Sequence, residues 1–267
     1  MKIIVSLSTI PSRIRHIEPV IRSLINQSVP PDEIHIQLPK YCIKEQRGYD
    51  IPAFFKDYEQ LIVNVPDKDL GSSTKWFYPL QYLKNENNTF LIIVDDDCSY
   101  QEDSIELLLK RLSEDENCCY CYTGGIIPRL PQKVSNFSVS NISINNTLSI
   151  IENNNSDIKV DTIQGFSMFI LSPFWFRNFD YSIFDSLSIL DQSDDILISG
   201  ILEFHNISRI QLGPYKLPEI LSHNQLNAIH VDEKRFLRIT INAIEFLQIH
   251  LSIWQDVKCQ PQNLFQK

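Results

Sequence analysis

Three consecutive carboxylates, Asp95, Asp96 and Asp97, follow an apolar run at residues 90–94 in the segment LIIVDDDCSY. A run of that length and apolarity predicts a buried strand. The carboxylates are then delivered to the point where a sheet opens to solvent. Negative charge concentrated there is costly unless a cation or hydrogen-bond donors satisfy it. Carboxylate oxygens suit a hard ion such as magnesium or manganese. Strand alternation puts Asp95 and Asp97 on one face and Asp96 on the other. A solvated acidic turn is the alternative. A DxDxT phosphatase would want threonine where Ser99 stands, so that match is partial.

A second acidic pair stands in LDQSDDILISGIL, residues 190–202. Ser193, Asp194 and Asp195 open an apolar-periodic helix, so one of them is a candidate N-cap. The other reading is chemical: a neighbouring carboxylate raises the pKa of the pair. In DLGSSTKW, residues 69–76, a glycine-containing loop leads into a helix. Its backbone amides and Lys75 would favour phosphate, or Lys75 is simply an exposed residue of a first turn. Gly165 precedes a strongly apolar strand, a place where glycine marks close approach of a ligand or backbone. Further on, LSHNQLNAIHVDEKRFLR carries His223 and His230 ahead of Lys234 and Arg235.

The elements that must position these residues alternate. Strands are predicted at 2–7, 33–38, 58–65, 90–94 and 118–123, and helices at 15–26, 74–83 and 104–112. Such an order predicts an α/β, doubly wound sheet with ligands at the carboxyl ends of its strands. Residues 130–158 break the pattern with an Asn/Ser-rich, charge-poor stretch; Asn153-Asn154-Asn155 reads as a loop tip. The apolar stretch 236–254 contains Arg238, Asn242, Glu245, Gln248 and His250, which makes it an amphipathic helix rather than a membrane span.

Composition excludes several classes. A formal charge of −9 without a dense Lys/Arg run argues against a nucleic-acid partner. The six cysteines form no small-domain disulfide framework, and Cys118, Cys119 and Cys121 lie in an apolar run that reads as strand thiols rather than a metal site. The apolar run at the N-terminus is too short for a signal segment, so the expected setting is cytoplasmic. Sequons at Asn136 and Asn141 are then accidents of composition.

Taken in order, these segments resemble the GT-A glycosyltransferases, from residue 1 to about 238 apart from the Asn-rich insertion. The resemblance implies a Rossmann-like, mixed but mostly parallel sheet flanked by helices. It implies one domain: a nucleotide-sugar-binding half (1–125), an insertion (126–160), and an acceptor-side half with a C-terminal helix (161–267). The acidic strand end resembles the family's DxD motif, with Asp95 and Asp96 on the nucleotide side and Asp97 and Asp95 on a manganese or magnesium ion. IVSLSTIPSRI resembles the first strand and base-binding loop, implicating Thr9, Pro11 and Arg13. DLGSSTKW resembles a "D-x-G-P-x-x-K" stretch, with Ser72 in place of proline and Lys75 near phosphate. QGFSMFILSPFWFRN resembles the segment where Gly165 admits the donor sugar. Asp195-Ile196 with Gly200 resembles "E-D-V-x-x-G", making Asp195 the base and Asp194 its support. The last loop implies His230, or else His223, as a metal ligand, and Lys234 and Arg235 as phosphate contacts. The implied activity is transfer of a sugar from a nucleoside diphosphate, uridine diphosphate by family frequency, to an acceptor hydroxyl, with inversion. A sugar-nucleotidyltransferase would want a glycine-rich loop after the first strand, and STIPSRIRH has none. A non-catalytic nucleotide- or glycan-binding module is the other alternative.

Overall fold

The structure is a computed structural model that describes residues 1–127, 149–150, 156–185, 192–225 and 233–257; at 149–150, 224–225 and 233–234 it gives the backbone path alone. Most of the Asn/Ser-rich insertion, including Asn136, Asn141 and Asn153–Asn155, lies outside the described residues. So do His230, Cys259 and the side chain of Lys234.

Four parallel strands form the first half of the sheet: β1 (Lys2–Ser8), β2 (Glu33–Gln37), β3 (Leu61–Asn64) and β4 (Thr89–Ile93). After β4 come a two-residue strand β5 (Cys98–Ser99), then β6 (Cys118–Cys121) and β7 (Gly124–Ile126). The remaining strands are β8 (Ser149–Ile150), β9 (Ile158–Val160), β10 (Thr162–Ile163), β11 (Phe169–Leu171), β12 (Ser208–Gln211) and β13 (Glu219–Ile220). The main sheet runs β3-β2-β1-β4-β11-β6-β12-β9, with β11 antiparallel to both β4 and β6 and β12 parallel to β6. It is the mixed, mostly parallel sheet that the sequence predicts. β7, β8 and β10 form a small second sheet, and β13 pairs with β5 beside the acidic turn.

Helices cover both faces: α1 (Glu18–Ile25), α2 (Thr74–Tyr82), α3 (Ser104–Glu114), α4 (Asp194–Phe204) and α5 (Glu233–Leu251). Strand alternation sorts the apolar side chains into two cores. Val5, Leu7 and Ile92 pack with α1 and α3 on one face. Ile4, Leu91 and Ile93 pack with α2, α4 and α5 on the other. Each fully buried aliphatic side chain contributes about 1.5–3 kcal/mol, so a parallel sheet covered twice is the favoured arrangement of so apolar a strand set.

Three predicted boundaries shift for local reasons. The helix expected at 15–26 is a 3-10 turn, Ile14–His16, followed by α1, because Pro19 lacks an N–H and belongs in a first helical turn. The third strand begins at Leu61 rather than 58. The acidic motif lies beyond the strand: β4 ends at Ile93, and Asp96 and Asp97 sit in a turn. Cys119 and Cys121 are buried on β6, and burial pushes both thiols up. No helix among the described residues is long and apolar enough to cross a membrane.

Candidate functional site

The acidic turn is the centre of a set of long-range contacts at the carboxyl end of β4. Because the backbone turns after Ile93, the predicted alternation does not extend to the carboxylates. Asp96 does not point away from its neighbours' partners: Arg13 Nη1 donates to Asp96 Oδ1 at 2.8 Å and to Asp97 Oδ2 at 3.1 Å. Thr9 Oγ1 donates to the other oxygen of Asp96 at 2.5 Å. Both oxygens of this buried carboxylate are therefore engaged. Asp96 thus pins the loop after β1, in which Pro11 lies within a turn closed by Arg13 N to Ile10 O at 2.9 Å. Burial raises the Asp96 pKa, and Arg13 and Thr9 oppose that rise.

Asp95 turns instead toward α2. Lys75 Nζ is 2.5 Å from Asp95 Oδ1 and 2.7 Å from Asp194 Oδ2, with only 3% of its side chain exposed. Burial alone would lower the Lys75 pKa; Asp194, Asp95 and Asp195 outweigh it and hold the ammonium well above its usual value. Burial likewise pushes Asp95 up to about 6. The sequence places Lys75 near phosphate, whereas the structure places it between carboxylates.

Neither acidic residue of α4 caps the helix. Ser193 is the N-cap residue without a side-chain capping bond. Asp194 Oδ1 accepts from Ser72 Oγ at 2.8 Å, and Asp195 Oδ1 accepts from Gly165 N at 3.0 Å. Ser72, which stands where the resembling pattern has proline, is thus a partner of Asp194. Burial, then the charge of Asp194, raises the Asp195 pKa well above the carboxylate range. A Cβ on Gly165 would lie 2.8 Å from Lys75 Nζ and 3.3 Å from Asp95 Oδ1, so a side chain there would have to shift the buried ammonium.

Two members of the site, Tyr100 and Lys44, carry no signal in the sequence. Tyr100 Oη accepts from Asp95 N at 3.0 Å and donates to Phe166 O at 3.1 Å, tying the acidic turn to the Gly165 turn. His223 Nε2 donates to Asp96 O at 2.8 Å, and Leu221 N donates to Asp97 O at 2.9 Å. The segment after β13 therefore braces the turn from outside, and His223 reaches its backbone rather than its carboxylates. Lys44 is the other residue without a sequence signal. Glu45 accepts from Ser12 N at 3.0 Å, and Tyr49 Oη donates to Thr9 O at 2.9 Å, which fastens the 42–49 loop to the 9–13 loop. Burial, then the charges of Arg235 and Arg13, lower the Lys44 pKa.

Among the described residues no three Asp, Glu, His or Cys side chains already form a metal shell. The donor set nonetheless fits a hard cation. Among the described residues, Lys75 occupies Oδ1 of Asp95 and Arg13 occupies Oδ2 of Asp97, which leaves one carboxylate oxygen on each residue, and the Asp97 oxygen meets only the Cys98 thiol, at 3.7 Å. Their side chains are 31% and 17% exposed. Five carboxylates here face two intimate cations, Lys75 and Arg13. A diphosphate would be repelled from such a centre without further positive charge.

This sheet order and covering of helices define the chain as an α/β protein of the GT-A, Rossmann-like fold. No family model and no curated protein matches the sequence. Among solved structures, it is similar to S. aureus TarS residues 1–349, with a TM-score of 0.50 and 12% identity over 93% of this chain. The chain spans 65% of that TarS structure. It is similar also to GalNAc-T7 crystallised with UDP, GalNAc and Mn2+, with a TM-score of 0.50 and 11% identity; 81% of this chain and 44% of that one are covered. Francisella tularensis 2-C-methyl-D-erythritol 4-phosphate cytidylyltransferase follows at a TM-score of 0.46, 12% identity, and 83% and 93% coverage. At these identities the likeness is one of fold.

Proposed function

We propose that the chain is a glycosyltransferase that moves a sugar from a nucleoside diphosphate sugar, UDP-linked by preference, to an acceptor hydroxyl. One observation carries this reading. Carboxylates from just beyond β4 and from the start of α4 meet on a single buried ammonium, against which the Gly165 backbone packs with no room for a side chain. A similarly folded protein holding UDP and Mn2+ supports the choice of nucleotide and ion.

Asp95 and Asp97 would hold manganese or magnesium, which would neutralise charge on the departing diphosphate. Lys44 and Arg235 would supply further positive charge beside Arg13, and the resemblance adds Lys234. Thr9 and Pro11 shape the base-side loop. Asp195 is the general base: Gly165 N fixes one oxygen, and its raised pKa suits it to take the acceptor's proton. Asp194, held by Ser72 and Lys75, keeps the first turn of α4 in register. Attack on the side opposite the diphosphate then inverts the anomeric centre.

The test is turnover of a panel of nucleotide sugars, with and without manganese, with the product anomer read by NMR. Asp97→Ala is expected to abolish metal-dependent nucleotide binding. Asp195→Asn should spare binding and stop transfer; full activity in that variant rules out Asp195 as the base. Binding of nucleoside diphosphate with neither transfer nor donor hydrolysis would make the chain a binding module instead.

A further inference from the structure

Lys75 is fixed more firmly than a phosphate contact requires. Its carbonyl lies four residues before Pro79, which has no N–H and cannot complete the helical hydrogen bond. Ser6 Oγ, on β1, takes that freed carbonyl at 2.6 Å. The proline therefore exposes an acceptor, and the strand fastens the turn of α2 that carries Lys75. At the other end of the side chain, the ammonium is seated between Asp95 Oδ1 at 2.5 Å and Asp194 Oδ2 at 2.7 Å. Gly165 closes the remaining side, since even a methyl group there would come within 2.8 Å of Nζ. A phosphate oxygen would have to displace a carboxylate or the Gly165 backbone to reach this cation.

We propose that Lys75 is a positioning residue that does not touch the donor phosphate. It joins the strand end that holds Asp95 to the helix start that holds Asp194, and so sets where Asp195 stands relative to the donor. Gly165 is its seat, and the Ser6–Pro79 pair is its backbone anchor. Removing one partner of a buried ion pair leaves uncompensated charge, so Lys75→Met would misplace both carboxylates. A displacement of about 1 Å in a reacting group costs on the order of 100-fold in rate.

The kinetic part rests on the transferase reading; the binding and stability parts do not. The experiment compares wild type, Lys75→Met, Gly165→Ala, the double variant and Ser6→Ala. Manganese is titrated first, and uridine diphosphate is then titrated calorimetrically at manganese saturating for each variant, so that a weaker hold on the ion by a displaced Asp95 is not read as a lost phosphate contact. Transfer is split into kcat and KM, and unfolding midpoints are measured. The expected result is a kcat at least 100-fold lower in Lys75→Met, with uridine diphosphate affinity within about threefold of wild type, since a lost phosphate contact of about 1.4 kcal/mol would read as tenfold. Ser6→Ala, which keeps the ammonium, should lower kcat less and leave affinity unchanged. Gly165→Ala should cost less stability in the Lys75→Met background than in wild type, because the methyl then meets no ammonium. A tenfold loss of nucleotide affinity at saturating manganese in Lys75→Met overturns the proposal, as does an additive Gly165/Lys75 cycle. Wild type that neither binds the nucleotide nor transfers sugar defeats the transferase reading, and the stability cycle still decides whether Gly165 seats Lys75.

Discussion

Gly200 lies within α4, five residues beyond Asp195, where that helix crosses α5. A Cβ at this position would lie 2.4 Å from Cδ1, 2.7 Å from Cδ2 and 3.0 Å from Cγ of Leu247. Leu247 is fully buried, so its side chain has no solvent into which to swing. Alanine gains about 1 kcal/mol over glycine in a helix interior. Overpacking costs about 1–3 kcal/mol, and a clash that includes Cγ belongs at the upper end because the whole side chain must move. Gly200→Ala is therefore expected to destabilise the protein by about 2 kcal/mol, or about 4–8 °C in Tm for a chain of this size. Urea midpoints and thermal melts measure it. In the Gly200→Ala background, Leu247→Ala should cost less than its ordinary ~2–5 kcal/mol, since the added methyl fills part of the cavity. An unchanged or raised Tm refutes the contact, and so does an equal cost of Leu247→Ala in both backgrounds. The outcome bears on function as well. In the resembling motif Gly200 is the downstream glycine, and here it serves helix packing that fixes the turn bearing Asp194 and Asp195.

Three further expectations follow from the charges. In the proposed role, Asp195 would act as a base only when ionised, and its pKa is raised, so kcat/KM should climb with pH through a limb above the ordinary carboxylate value of about 4; a limb at or below that value removes Asp195 from the role. Lys44→Ala should weaken uridine diphosphate binding roughly tenfold and flatten its salt dependence; unchanged affinity at low salt places Lys44 outside the anion site. Burial among Phe176, Phe179 and Phe204 lowers the His205 pKa below its unfolded value of about 6.5. A depressed pKa contributes stability that is complete above about pH 6.5 and lost as pH falls through the folded value. The stability gap between wild type and His205→Phe should therefore change steadily from pH 7 to pH 5, to the disadvantage of wild type, and a constant gap in urea refutes it.

How far the sequence carried is best seen at the acidic turn. The apolar run into Asp95–Asp97 gave away the strand, its burial and its carboxyl-end charge, because each is a local property. The division of labour among the three carboxylates did not follow, because alternation holds only while the backbone stays extended, and it stops at Ile93. From there the partners are chosen by loops distant in sequence: Thr9 and Arg13, Lys75, and the segment around His223. Tyr100, His223 and Lys44 leave no periodic trace, since a single polar residue in a loop looks the same whether it braces a site or faces water. One long-range contact was nonetheless implicit in the chain. A proline inside the helix predicted for 74–83 must orphan the carbonyl of Lys75, and a buried orphan must find a donor. Ser6, a hydroxyl inside the buried stretch 3–7 of the first strand, is that donor. Pairing the defect in one element with the misfit residue in another would have located Lys75 against β1 before any coordinates. From that position a lysine reaches the end of the neighbouring strand β4 rather than open solvent, which is where Asp95 holds it.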